Sequence, residues 1–110
     1  MTKRSHKLYI KDIFDAIDKI EGYTKDLSFE KFSENELVID AVIRNFEIIG
    51  EASKHMPNSI RSEHKDVPWK EMSGMRDKVI HEYFGVDLDI VWKTVKERLP
   101  DLKKQLLRIH

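Results

Sequence analysis

Apolar residues recur at steps of three and four along most of this 110-residue chain, which is the spacing of one face of an α-helix. The first such stripe consists of Ile10, Ile13, Phe14, Ile17, Ile20 and Tyr23. The last consists of Leu88, Trp92, Val95, Leu99, Leu102, Leu106 and Ile109. With only three prolines and four glycines, the chain does not resemble a turn-rich β-sandwich. We therefore predict an all-α protein, an antiparallel bundle of four to five helices.

The segment between these stripes carries the signals of a central helix. Ser33 followed by Glu36 matches a capping box, which predicts that a second long helix begins there. Residues 37 to 52 are apolar on more than one face, as expected of a helix that contacts several neighbours or a second copy of the chain. Pro57 marks the end of this helix. We expect at most one short helix between Pro57 and Pro68.

Two further prolines shape the second half of the chain. Pro68 suits the first turn of a helix, which we predict over residues 69–84 with a bend near Ser73 and Gly74. Gly85 is well placed to end it. Pro100 interrupts the last apolar stripe without changing its line, so we expect a kink or a restart of the helix there.

Size and charge limit what the chain can do. Its length suits a single domain spanning residues 1–110. Twenty basic and twenty acidic residues cancel, so any contact with a polyanion must come from local clustering. The absence of cysteine excludes disulfides, thiolate nucleophiles and cysteine zinc sites. Since no apolar stretch approaches the roughly 18 residues of a membrane span, we expect a cytoplasmic protein without membrane contact.

The residues from Arg76 to Tyr83 are the most unusual chemical feature of the chain. Phosphate-binding glycine loops, His-Glu-x-x-His and Gly-x-Ser-x-Gly are all missing from the sequence. Asp77 and His81, four apart, share one helix face, so that Asp77 can orient the imidazole. Arg76 lies about 140° from His81 around an ideal helix and within about 20° of Tyr83. This mismatch favours a local distortion or, more attractively, a cleft between two copies.

These side chains suit RNA cleavage without a metal or another cofactor. An imidazole of near-neutral pKa can move the 2′-hydroxyl proton of RNA, and a guanidinium can neutralise the charge that develops on the phosphate. On spacing alone, however, Arg76 and His81 are more typical of two ordinary surface residues on a charged helix. Tyr83 followed by Phe84 is more often a core aromatic residue.

Other polar residues carry weaker signals. Cations are enriched in the middle of the chain, at Lys54, His55, Arg61, His64, Lys65, Lys70, Arg76 and Lys78. Of these, we select Lys70 and Lys78 as candidates for RNA binding, although a solvated helix face explains the cluster about as well. Glu51 and His55, four apart, favour a simple hydrogen-bonded pair over half of a metal site, and we assign no metal.

The motif and its flanks together resemble a known family. Arg76, His81 and Tyr83 form Arg-x4-His-x-Tyr, flanked by residues 48–52 (IIGEA), 67–69 (VPW) and 83–87 (YFGVD). This pattern is similar to that of the HepT-type toxins, which are HEPN ribonucleases, and the similarity covers nearly the whole chain. The resemblance implies a homodimeric, all-α, metal-independent endoribonuclease with a composite catalytic site at the dimer interface.

The resemblance also assigns residue roles and a partner. It makes Arg76 and His81 catalytic, and Tyr83 the residue to which a cognate minimal nucleotidyltransferase antitoxin adds AMP, as in a type VII toxin–antitoxin system. Asp77 departs from the asparagine often found there; it can hold His81 protonated, and we give it a supporting role. The alternatives are a non-catalytic HEPN module that binds nucleotide or docks a nucleotidyltransferase, and a purely structural helical dimer.

Overall fold

The computed structural model describes residues 5–75 and 88–109, and within these two ranges every regular element is helical. The elements are α1 (His6–Thr24), α2 (Phe29–Glu34), α3 (Glu36–Lys54), α4 (Asn58–Glu63), α5 (Trp69–Ser73), α6 (Leu88–Lys93), a π-helical segment (Thr94–Arg98) and α7 (Leu99–Leu106). The prediction of an all-α protein is confirmed. None of the helices in the described ranges combines the length and the apolarity needed to span a bilayer.

Helices α1 and α3 form the centre of the fold and run antiparallel, since Tyr9 near the start of α1 stacks on His55 just after the end of α3. Both helices bury their predicted stripes against each other. Tyr23 is an exception, because its side chain is 42% exposed. The buried position after Ile20 is instead Thr24, four residues on, whose Oγ1 donates to the Ile20 carbonyl at 2.8 Å.

The predicted capping box at Ser33 is wrong. Helix α2 continues to Glu34, and the Ser33 hydroxyl donates back to the Glu30 carbonyl at 2.8 Å. Asn35 alone leaves helical geometry between the two helices, and its Oδ1 accepts from the Val38 N–H at 3.1 Å. Asn35 therefore caps α3, because α2 and α3 are joined by a single residue.

The helix from residue 88 to residue 106 passes Pro100 through a wide turn. The Leu99 N–H donates to the carbonyl of Thr94, five residues back, which is the bond of a π-helix. Pro100 has no N–H, and its ring would clash with the carbonyl four residues earlier in a regular α-helix, so a wider turn just before it relieves the contact. Val95, Leu99 and Leu102 remain buried on one line, as the spacing predicted.

Phe46→Ala should lower the free energy of unfolding by about 3–5 kcal/mol, because it empties space at the centre of α3 where the ring is 1% exposed. Leu37→Ala on the same helix is the matched control; its side chain is 81% exposed, and we expect a change within about 0.5 kcal/mol. Urea unfolding followed by circular dichroism measures both. Equal losses in the two variants would contradict the assigned buried face of α3.

Candidate functional site

The predicted site residues Arg76, Asp77, Lys78, His81 and Tyr83 lie outside the described residues, as does the predicted end of their helix at Gly85. Their proposed roles therefore remain predictions. What the structure describes is the frame on either side of residues 76–87, together with a groove formed by the two central helices.

The frame before the motif is α5, which corresponds to the start of the helix predicted over residues 69–84. It ends at Ser73, and the Gly74 N–H donates to the Lys70 carbonyl, which agrees with a break near this point. Trp69 is buried, and its indole N–H donates to the His64 carbonyl at 3.0 Å. Met72 is also buried, and α5 packs on α3. The chain thus enters the motif from a well-anchored point on the central helix.

The frame after the motif is α6, which is fixed to α2 through Trp92. The indole ring lies 5.0 Å from the ring of Phe32 and 6.3 Å from that of Phe29, measured between centroids. Lys96 also contacts this ring, with its Nζ 4.7 Å from the centroid of the indole. Packing against neighbouring side chains therefore explains the positions of both Trp92 and Trp69, and neither residue needs a role in stacking an RNA base.

An ion pair joins the two parts of the frame. Arg98, in the π-helical segment, donates from Nε and Nη2 to the two carboxylate oxygens of Glu71 in α5, at 3.0 and 2.9 Å. The hydrogen bond from Glu71 raises the pKa of Arg98 above its usual value, so the guanidinium stays charged. Bidentate geometry makes this pair more directional than an ordinary surface ion pair. It ties the helix before residues 76–87 to the helix after them.

The predicted basic cluster contains a cation that is hydrogen-bonded to backbone carbonyls and one that is exposed to solvent. Arg61 donates to the carbonyls of Ser53 and Lys54 at 2.7 and 3.1 Å, so it caps the end of α3. Lys70 is exposed on α5. Among the described residues, Lys70 is therefore better placed than Arg61 to meet a polyanion.

A groove of about 360 Å³ lies between α1 and α3. Its lining includes Tyr9 and Asp12 from α1, Arg44, Glu47 and Glu51 from α3, and His55. Glu51 and His55 are neighbours, but their side-chain N and O atoms are 3.9 Å apart, so the predicted hydrogen bond between them does not form. Sequence spacing did not indicate the other residues, since α1 and α3 meet only in the fold.

In the described part of the chain, no three His, Asp or Glu side chains come together in a way that could hold a metal ion.

Comparison with known proteins identifies the family of this chain. Residues 13–109 match the family model described as Ribonuclease HepT-like. The chain is 54% identical over 108 residues to a protein of Thermococcus cleftensis named as a probable ribonuclease HepT, covering 98% of both chains. This protein belongs to the HepT-like ribonuclease family.

More distant relatives agree with this assignment. A candidate RNase of Methanocaldococcus jannaschii is 46% identical, with 99% of this chain and 94% of the relative covered. A candidate RNase of Caldanaerobacter subterraneus is 44% identical, with 92% and 90% covered. No solved structure matches the chain at a significant level.

Proposed function

We propose that this protein is a toxin of the HepT type, a metal-independent endoribonuclease in which Arg76 and His81 are catalytic. The observation that carries the proposal is the 54% identity to a relative named as a ribonuclease, over 98% of both chains. The chain also holds a guanidinium and an imidazole within one short segment, which are the two groups that metal-free RNA cleavage needs.

The proposed reaction is an internal transfer of the phosphate. His81 takes the proton of a ribose 2′-hydroxyl, and the oxygen then attacks the adjacent phosphorus. Arg76 neutralises the charge that develops on the phosphate oxygens. The bond from phosphorus to the 5′-oxygen breaks, and that oxygen takes up a proton from water as it leaves. The products are a 2′,3′-cyclic phosphate and a 5′-hydroxyl, and Asp77 supports the reaction by orienting His81.

The described residues on either side of residues 76–87 support the proposal that the motif is held in place. Buried Met72 and Met75 anchor the chain before it, and Trp92 anchors the helix after it. The Glu71 and Arg98 pair holds these two anchors together. Catalysis by positioned groups needs such a frame, because misplacement by about 1 Å can cost roughly a hundredfold in rate.

We further propose that RNA reaches the site along exposed Lys70, with Lys78 as a second contact to phosphate. The protein acts in the cytoplasm beside a cognate minimal nucleotidyltransferase antitoxin, which inactivates it by adding AMP to Tyr83. The pairing of toxin and antitoxin follows the type VII scheme that the sequence pattern implies.

The proposed active form is a homodimer whose two chains share each catalytic cleft. On one ideal helix, Arg76 and His81 are separated by an angle of about 140°, which places the two groups poorly for a single phosphate. This geometry supports a cleft shared between two chains. In a shared cleft, Arg76 of one chain meets His81 of its partner.

Mixing two inactive variants tests this dimer. Arg76→Ala and His81→Ala, denatured and refolded together, should form mixed dimers in which one of the two clefts has both groups intact. About a quarter of the parental cleavage should return, while each variant refolded alone stays inactive, and sedimentation should show two chains. Mixed dimers without activity, or a monomer that cleaves RNA, would contradict the shared cleft.

A further inference from the structure

Two charged side chains, those of Arg44 and Glu47, line the groove between α1 and α3. Arg44 is exposed and Glu47 is half-buried, three residues apart on α3. Within residues 5–75 and 88–109, neither side chain makes a hydrogen bond or ion pair with another group. Residues three apart on a helix are neighbours and readily pair when their charges are opposite. A donor group and an acceptor group therefore both line the groove without a partner among the described residues.

An aromatic surface lies beside these two groups. The rings of Tyr9 and His55 are nearly parallel, with an interplanar angle of 17° and centroids 5.7 Å apart. Both residues line the same groove as Arg44 and Glu47. Proteins that bind single-stranded nucleic acid use aromatic rings of this kind to stack a base, alongside cations that track the backbone.

From this arrangement, and resting on the proposed ribonuclease function, we infer that the groove binds one guanine nucleotide of the RNA substrate. The base stacks on Tyr9, the Glu47 carboxylate accepts hydrogen bonds from the base, and Arg44 contacts a phosphate. The groove volume of about 360 Å³ falls within the range of small-molecule sites.

Guanine is the base whose edge fits a carboxylate best. An ionised carboxylate only accepts hydrogen bonds, through two oxygens. The Watson–Crick edge of guanine presents two adjacent donors, the N1–H and the 2-amino group, so both oxygens are satisfied at once. Adenine and cytosine present one donor beside an acceptor, and uracil presents one donor between two acceptors. Glu47 therefore selects for guanine.

The charges of the groove also place the phosphate. The Glu47 carboxylate in the lining repels an anion, whereas a neutral base enters without this cost. Arg44 is exposed, so a phosphodiester can meet its guanidinium at the rim. The base enters the groove and the backbone stays outside it.

Binding of hexanucleotides to the full chain tests this subsite without any cleavage. The probes are fluorescent 2′-O-methyl hexamers of uridine with one central guanosine, inosine or adenosine; inosine lacks only the 2-amino group. We expect the parent protein to bind the guanosine probe about tenfold more tightly than the inosine probe, as for one bidentate contact. Glu47→Gln should bring that ratio close to one.

The stacking surface and the cation give separate readouts. Tyr9→Leu should weaken the guanosine and inosine probes alike, by about tenfold, while Tyr9→Phe should bind like the parent because it keeps the ring. Arg44→Gln should weaken all probes and lower the salt dependence of binding by about one phosphate contact. Tyr23→Leu, at the other end of α1, and Glu97→Gln, exposed on the π-helical segment, are the matched controls.

Several outcomes would overturn the subsite. These are a parent protein without preference for guanosine, a Glu47→Gln variant that keeps the preference, and a Tyr23→Leu variant as weak as Tyr9→Leu. A Tyr9→Leu variant that dissociates into monomers while binding the probes normally would show that the groove contacts a second chain. Cleavage of ordinary RNA by the same protein is scored separately, so loss of guanine selectivity with intact cleavage refutes the subsite and leaves the proposed function standing.

Discussion

Arg76→Ala and His81→Ala should each lower kcat/KM for RNA cleavage by a hundredfold or more. Loss of a general base typically costs about 10² to 10⁴ in rate, and loss of one donor to the developing charge costs about 10² to 10³. Because the proposed roles are chemical, the helical circular dichroism and the melting temperature should stay close to those of the parent. Initial rates on an end-labelled RNA, separated on a denaturing gel, measure the effect.

Residues of the same type outside the motif provide the controls for this experiment. Arg108→Ala removes an exposed guanidinium that pairs with Asp66 at 3.4 Å, and it should cleave at the parental rate. His64→Ala removes an imidazole from a residue that holds Trp69 through its backbone carbonyl, and it should also stay active. A near-parental rate for either motif variant would contradict the assigned mechanism. Inactivity of the parent itself would favour the non-catalytic module.

Tyr83→Phe should give a folded, active toxin that its nucleotidyltransferase antitoxin and ATP can no longer silence. The substitution keeps the ring and removes only the hydroxyl that we propose accepts AMP. On an ideal helix Tyr83 lies within about 20° of Arg76, so AMP attached there would add a phosphate that pairs with the guanidinium and excludes the RNA phosphate. We expect residual activity after treatment to fall at least about tenfold in the parent and to stay unchanged in Tyr83→Phe.

Mass spectrometry of the treated protein decides the cause of silencing. The peptide that carries Tyr83 should gain the mass of one AMP group in the parent, and the Tyr83→Phe peptide should not. Tyr23→Phe, which removes a hydroxyl from a side chain that is 42% exposed, is the matched control and should be silenced like the parent. If activity were lost while the Tyr83 peptide kept its unmodified mass, the antitoxin would act by binding alone.

Periodicity predicted the long helices because burial of one face determines both the sequence pattern and the packing. It failed where local hydrogen bonds decide the outcome. The Ser33 capping box was a plausible start for α3, yet a one-residue connection left only Asn35 free to cap. At Pro100, a kink, a restart and a π-turn all preserve the same apolar line, so the spacing could not distinguish them.

The same distinction applies to the candidate site, where residues close in the sequence were predictable and residues that meet only in the fold were not. Arg76, His81 and Tyr83 stand close together in the sequence, so a short motif indicates them. The proximity of Glu51 and His55 was also predictable, since residues four apart on a helix are neighbours, although the predicted hydrogen bond does not form. Tyr9 and Arg44 lie far apart in the sequence, and only the antiparallel packing of α1 on α3 brings them into one groove. Local spacing contains no signal for that contact.

Cleavage of one labelled RNA and its 2′-O-methyl copy by the purified chain in the presence of EDTA tests the proposed metal-independent mechanism most directly. The RNA should be cut into fragments with 2′,3′-cyclic phosphate and 5′-hydroxyl ends, and the 2′-O-methyl copy, which lacks the attacking hydroxyl, should stay intact. His81→Ala, purified in parallel, should leave both intact. Cleavage that stops on chelation, cleavage of the 2′-O-methyl copy, or equal cleavage by His81→Ala would contradict this mechanism.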